Sequence, residues 1–226
     1  MLKLLLSSLF YPAPSINIDE EQEKQFKKLV DTMMNNRGEL IDYPSNFPKY
    51  HFIKYMSQTG KFVFHGSNNH DIEIFEPREQ TLYNNKLTKA IFASTDPIWP
   101  IFYAVLRRDN VVASFRNGCL VHRNQRYHYY SLNQSTIRND PWTEGMLYIL
   151  PNQTFFKSGN GRVQFDEWIS HEPVAPIGKI PVSVDDFFYH NKVSVHKDGE
   201  SLWKTWFLYK IRTLRANSKM AARNNG

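Results

Sequence analysis

Between Lys61 and Val184 the chain breaks into short β-patterned runs set apart by turn residues, and helical periodicity is strong only near its two ends. This pattern predicts an α+β domain, with helices packed at the ends of a strand-rich core. The runs are Lys61–His65, Asp71–Phe75, Ala90–Ser94, Val111–Phe115, Leu120–His122, Tyr127–Leu132, Met146–Leu150, Arg162–Ile169 and Ile180–Val184. Arg116-Asn-Gly118 and Ser158-Gly-Asn-Gly161 read as turns between them.

Before the strands, Ile18 to Asn36 places Phe26, Leu29, Val30, Met33 and Met34 on one helical stripe. Asn17 is the expected N-cap, Glu20 the capping-box partner and Gly38 the C-terminal stop. A Pro-containing connection follows from Tyr43 to Pro48. Mid-chain, Asp96 and Pro97 open a short helix with Ile98, Ile101, Phe102, Val105 and Leu106 on its apolar side. Glu200 to about Asn217 forms the last helix, with Leu202, Trp203, Trp206, Phe207, Ile211 and Leu214 on one face. Trp203 and Trp206 are read as core, and the basic tail Lys210–Arg223 is expected to fray. Residues 1–60 are expected to pack as a helical segment on a core made by residues 61–226, as one compact unit.

Hydrophobic residues make up 41% and aromatics 15% of 226 residues, enough for a buried core. The lone Cys119 excludes an internal disulfide and a multi-cysteine metal centre, and pairs poorly with the distant histidines as a nucleophile. Histidine spacing shows no metal-ligand pattern, so no metal is expected. Met1–Phe10 is apolar but interrupted by Ser7 and Ser8, and reads as a docked strand or helix rather than a signal peptide. No stretch reaches the ~18–20 apolar residues of a membrane span, so a soluble protein without a membrane partner is expected, cytoplasmic or, given the short apolar N-terminus, secreted. A formal charge of +6 and a pI of about 9.3 favour an anionic partner.

Three segments carry the chemistry. Phe62-Val-Phe-His-Gly-Ser67 ends a strand in a titratable ring beside a glycine, where a ligand can approach the backbone. Ala90-Ile-Phe-Ala-Ser-Thr-Asp96 is a strand leading into a helix. In Val163-Gln-Phe-Asp-Glu-Trp-Ile169, alternation puts Glu167 on the face of Val163, Phe165 and Ile169. A carboxylate there needs a partner, a raised pKa or a polar cleft, since burying it unpaired costs several kcal/mol.

In this order the segments resemble the ADP-ribosyltransferase superfamily, His-Tyr-Glu class, which includes the poly(ADP-ribose) polymerase catalytic fold. His65-Gly66-Ser67 is similar to the family's first motif, Ala90-Ile91-Phe92-Ala93 to its second, and Phe165-Asp166-Glu167-Trp168-Ile169 to its third. Phe102-Tyr103-Ala104 continues the second match into the helix. Phe92 stands where the family has tyrosine, keeping the ring face without the hydroxyl. The likeness covers about Phe62 to Val184.

It implies a split β-sheet core with an N-terminal and a C-terminal helix, NAD+ as substrate, and no metal. Glu167 and His65 would be catalytic, and His65, Gly66, Ser67, Arg78 and Phe92 would bind NAD+. Glu167 would stabilise the oxocarbenium-like transition state and His65 would hold ribose hydroxyls. Gly66 would meet the carboxamide, Phe92 would stack on nicotinamide, and Arg78 would pair with the diphosphate. The expected function is mono-ADP-ribosylation of a protein or nucleic acid, as in DNA-targeting bacterial toxins of the superfamily. The alternative is a non-catalytic nucleic-acid-binding module, using the basic C-terminal helix and Tyr127, Tyr129 and Tyr130 as exposed stacking platforms.

Overall fold

The computed structural model describes residues 1–44, 46–81 and 87–224. Ser45, within the expected Tyr43–Pro48 connection, lies outside them. Among the described residues there are six α-helices: α1 (Leu2–Leu9), α2 (Glu20–Asn35), α3 (Lys49–Gln58), α4 (Trp99–Val105), α5 (Gln134–Arg138) and α6 (Leu202–Asn224). The strands are β1 (Tyr11–Pro12), β2 (Phe62–Ser67), β3 (Arg78–Thr81), β4 (Leu87–Ala93), β5 (Phe115–His122) and β6 (Gln125–Asn133). They continue as β7 (Gly145–Pro151), β8 (Phe156–Lys157), β9 (Gln164–Phe165), β10 (Trp168–Ser170), β11 (Gly178–Val182) and β12 (Val193–His196). The domain is α+β.

Among the described residues the strands form three sheets. One has the order β1-β6-β5-β9, with β12 also on β6. A second runs β3-β4-β10-β8 and a third β11-β7-β2. Pairing is antiparallel except for β12, which lies parallel to β6 from Val193↔Tyr130 to His196↔Asn133. β1 takes the other stretch of that same edge, at Tyr127 and His128. The second and third sheets touch through one bridge, with Phe64 N–H donating to Ser94 O (2.8 Å) and Ser94 N–H to Phe64 O (3.0 Å).

Alternation explains where the core sits. On β6, Tyr127 and Tyr129 face outward into a cluster with Leu6, Phe10, Leu120 and Tyr209. Tyr130 and Leu132 face the opposite way, into the main core with α4. A strand buried on both faces needs apolar side chains at both parities, which is why Gln125–Asn133 carries so many aromatics. The main core joins Phe26, Met33, Phe52, Ile53 and Met56 of α2 and α3 to Phe62 and Phe64 of β2. Residues 1–60 therefore share the core of the rest, and β1 enters its sheet.

α4 is the central wedge. Ile101, Phe102 and Val105 are fully buried, each stabilising by roughly 1.5–3 kcal/mol through area removed from water. Asp96 opens the helix by accepting from Ile98 N–H (2.9 Å) and Trp99 N–H (2.6 Å). The first helical residue is Trp99 rather than Pro97, and Pro100 sits in the opening turn where its missing N–H costs nothing.

Several expectations need correction. The α2 capping box is Asp19 with Gln22, not Asn17 with Glu20, because the helix begins at Glu20. Asp71–Phe75 is not a strand. Its N–H groups are taken by side chains, Asp71 by Asn69 Oδ1 (3.0 Å) and Ile72 by Tyr148 Oη (3.1 Å). Only Phe75 bridges, to Val174. Val111–Phe115 is mostly irregular, joining β5 only at Phe115. Arg116-Asn-Gly118 lies inside β5, and a Cβ at Gly118 would come within 2.4 Å of the Phe165 ring. The true hairpin turn is Arg123-Asn124, with Arg123 at φ 56°. Arg162–Ile169 is two strands in two different sheets, broken at Asp166-Glu167. Met1–Phe10 forms helix α1, and α6 continues to Asn224. Trp203 is 66% exposed rather than core. No helix among the described residues is long and apolar enough to cross a membrane.

Candidate active site

The end of β2 carries His65, Gly66 and Ser67, and the next strand in space is β4, joined at the Phe64–Ser94 bridge. β10 pairs on the far side of β4, with Ile169 opposite Phe92 and Trp168 opposite Ala93. Three segments distant in sequence thus become neighbours. They surround a cleft of about 710 Å³ that His65, Gly66, Ser67, Arg78, Phe92 and Glu167 all line. The size suits a small organic ligand.

His65 is half-buried. Its Nδ1 lies 2.6 Å from the Phe92 carbonyl oxygen, which can only accept, so Nδ1 carries the proton and donates. Burial lowers its pKa, the Phe92 bond opposes this, and Arg108 and Arg78 lower it further. The ring is therefore neutral at pH 7, and Nε2 presents a lone pair. Its edge packs on Phe75, with centroids 4.8 Å apart.

Glu167 is half-buried at the break between β9 and β10. Ser158 donates to it twice, through Oγ to Oε1 (2.6 Å) and through N–H to the backbone carbonyl (3.0 Å). The expected apolar face around it does not form, because the strand ends before it and restarts after it.

What fixes the break is Asp166, which is 4% exposed. It accepts from Ser94 Oγ (3.0 Å), Thr95 Oγ1 (2.9 Å) and Trp168 Nε1 (3.3 Å), and pairs with Arg126 Nη2 (3.3 Å). Its own N–H donates to Cys119 O (2.8 Å). Arg126 also lies 3.5 Å from Asp96, whose other neighbour is His128 at 3.4 Å. Burial pushes the Asp96 pKa up, but His128 and Arg126 outweigh it and hold the carboxyl far below the usual range.

The remaining candidates are plainer. Gly66 needs its missing Cβ for packing, since a Cβ there would lie 1.8 Å from Pro100 O on α4. Ser67 Oγ accepts from Asn69 N–H (3.1 Å). Arg78 is exposed on β3. Phe92 is half-buried.

Sequence reasoning missed Arg108, Tyr103 and Asn68, which line the same cleft. The Arg108 guanidinium stacks over Tyr103 (5.2 Å) and Phe115 (4.9 Å). Asn68 Nδ2 donates to Ala104 O (2.7 Å), and Arg108 N–H donates to Asn68 Oδ1 (3.2 Å), tying the β2 exit to the end of α4. Only Tyr103 carried a signal, as part of the Phe102-Tyr103-Ala104 match.

Away from the cleft, Asp96, Cys119 and His128 bring donor atoms within 4.8 Å of one another, all buried. Burial raises the Cys119 pKa well above its ordinary value, which leaves a neutral, unreactive thiol. Tyr127, Tyr129 and Tyr130 are buried, not exposed as a nucleic-acid module using them would need.

The chain matches no family model, no curated protein and no solved structure.

Proposed function

We propose that the protein is an NAD+-dependent ADP-ribosyltransferase that transfers one ADP-ribose to a protein or nucleic-acid acceptor and releases nicotinamide. The observation that carries this reading is the convergence of five residues from three separated motifs, together with Arg78, on one cleft. The split arrangement of the sheets around α4 supports the corresponding fold.

The chemistry follows from the side chains. The ribose–nicotinamide C–N bond breaks with its electron pair leaving on nicotinamide, and the sugar becomes oxocarbenium-like. Glu167, steadied by Ser158, supplies the negative charge that stabilises that cation. An acceptor nucleophile then bonds to the sugar carbon and passes its proton to solvent water. Neutral His65 offers Nε2 to a ribose hydroxyl, because its Nδ1 proton is committed to Phe92 O. Arg78 and Arg108 supply guanidinium groups for the diphosphate, and Phe92 a ring face for nicotinamide.

The test is nicotinamide release from NAD+ by the purified chain. Glu167→Gln, at a half-buried position, is expected to leave the melting temperature within ~2 °C of wild type and to cut release by roughly 10²–10³-fold. Equal release by wild type and variant, or none from wild type, refutes the proposal.

A further inference from the structure

α1 and α6 lie together over the outer face of the five-stranded sheet. Lys210 Nζ donates to Ser7 O, and Phe10 meets Trp206 edge-on at 5.6 Å. Inward, α1 buries Leu6 and α6 buries Thr205, Tyr209 and Thr213. Outward, Trp203, Phe207, Ile211 and Leu214 recur every three to four residues and form one stripe, 45–66% exposed. On α1, Leu4 and Leu5 are exposed as well.

The two segments that carry this stripe hold charge of one sign. Neither Met1–Ile18 nor Ser201–Gly226 contains an Asp or Glu. Their seven cations, Lys3, Lys204, Lys210, Arg212, Arg215, Lys219 and Arg223, exceed the formal charge of +6 for the whole chain. The rest of the molecule is thus nearly neutral, and its basicity belongs to these two segments. Arg212 is committed to Glu200, at 2.6 Å. Lys204 and Arg215, eleven residues apart and both exposed, run along one border of the stripe, and Lys210 along the other.

We propose that α1 and α6 form a docking surface for a bilayer bearing anionic lipids, lying in its interface without crossing it. An apolar stripe of Trp, Phe, Ile and Leu bordered by Lys204, Arg215 and Lys210 suits the acyl boundary and the lipid phosphates together. A second copy would set cations against cations. A nucleic-acid backbone would leave Ile211 and Leu214 in water. The absence of a spanning helix does not bear on this mode of contact.

The test is co-sedimentation of the full chain with vesicles of phosphatidylcholine alone or with ~30 mol% phosphatidylserine. Affinity is expected to be at least ~10-fold higher for the anionic vesicles, to fall with added salt, and to bring a blue shift in tryptophan fluorescence. Trp203→Glu with Phe207→Glu, both at exposed positions, should abolish binding and leave the melting temperature and nicotinamide release unchanged. Lys204→Glu with Arg215→Glu should remove the preference for anionic lipid. Failure to bind either vesicle, equal binding to both, or binding untouched by the substitutions overturns the proposal. So does a dimer that Trp203→Glu dissolves, or salt-sensitive binding to duplex DNA or RNA without vesicle binding.

Discussion

Asp166→Asn keeps the size of the side chain and removes its charge, at the residue that fixes where β9 stops and β10 begins. The carboxylate faces four donors. Oδ1 takes Thr95 Oγ1 and Trp168 Nε1, and Oδ2 takes Ser94 Oγ and the Arg126 guanidinium. An asparagine must turn its NH₂ toward one pair. Hydroxyls can rotate to accept but a guanidinium cannot, so the amide oxygen stays with Arg126 and Trp168 Nε1 loses its acceptor. Arg126 keeps a charged partner only in Asp96, at 3.5 Å. Losing the charge-assisted contact costs about 1.5–3 kcal/mol, and the orphaned indole N–H adds roughly 1 kcal/mol. The total of ~2.5–4 kcal/mol lies near or below the ~3–5 kcal/mol of a buried pair broken outright, because Asp96 remains. For a chain of 226 residues this is a fall of roughly 5–15 °C in melting temperature, read by calorimetry at pH 7. Below the transition, nicotinamide release should also drop by ~10-fold or more, because Glu167 loses the anchor beside it. A double-mutant cycle with Arg126→Gln should show coupling of ~1–3 kcal/mol. A melting temperature within ~1 °C of wild type would refute the assignment of Asp166 as the anchor.

Gly66→Ala tests whether that glycine serves packing or only ligand access. With Pro100 O 1.8 Å from the added Cβ, α4 must move, and a loss of about 3 kcal/mol is expected in urea denaturation; unchanged stability with lost nicotinamide release would make ligand approach its only role. The third expectation concerns pH. Burial first, then Arg116, lowers the His196 pKa to about 4, with ring nitrogens 2.9 Å from Ser114 Oγ and Ser131 Oγ. The unfolded chain takes up this proton as pH falls through ~6.5, while the folded chain waits until about 4. Stability from this group is complete above pH ~6.5 and declines toward pH ~4, by on the order of 2 kcal/mol. His196→Gln should flatten that part of the stability–pH curve, and an identical slope in the variant would refute the linkage.

Sequence periodicity found the elements whose burial is one-sided or complete, and failed where polar partners come from afar. α2 was legible because Phe26 and Met33 face the core at helical spacing. β2, β4 and β7 were legible as apolar runs bounded by turn residues. Asp71–Phe75 alternates like a strand, yet Tyr148 and Asn69 take its backbone donors, and no local pattern encodes a tyrosine 76 residues away. The cleft residues on motifs could be named in advance, but the anchor could not. Asp166 is held by Ser94, Thr95 and Arg126, at separations of 40 to 72 residues.

The C-terminal helix shows a subtler failure. Its apolar residues at 203, 207, 211 and 214 have the spacing of a buried face, and its threonines have the composition of a wet one. The structure reverses the two. Thr205 Oγ1 donates to Glu200 Oε1 (2.8 Å), and Thr213 Oγ1 meets Tyr11 Oη (2.8 Å), so both hydroxyls are satisfied and can be buried without penalty. Tyr209 fills the space between them. With both threonines paired, the packing of Tyr209 can decide which face the helix turns inward, and periodicity alone cannot say which stripe meets the sheet. The stripe left outside still favours exclusion of water, and because the domain does not cover it, that preference is available to another surface. Lys204 and Arg215 beside it favour a surface that is negatively charged.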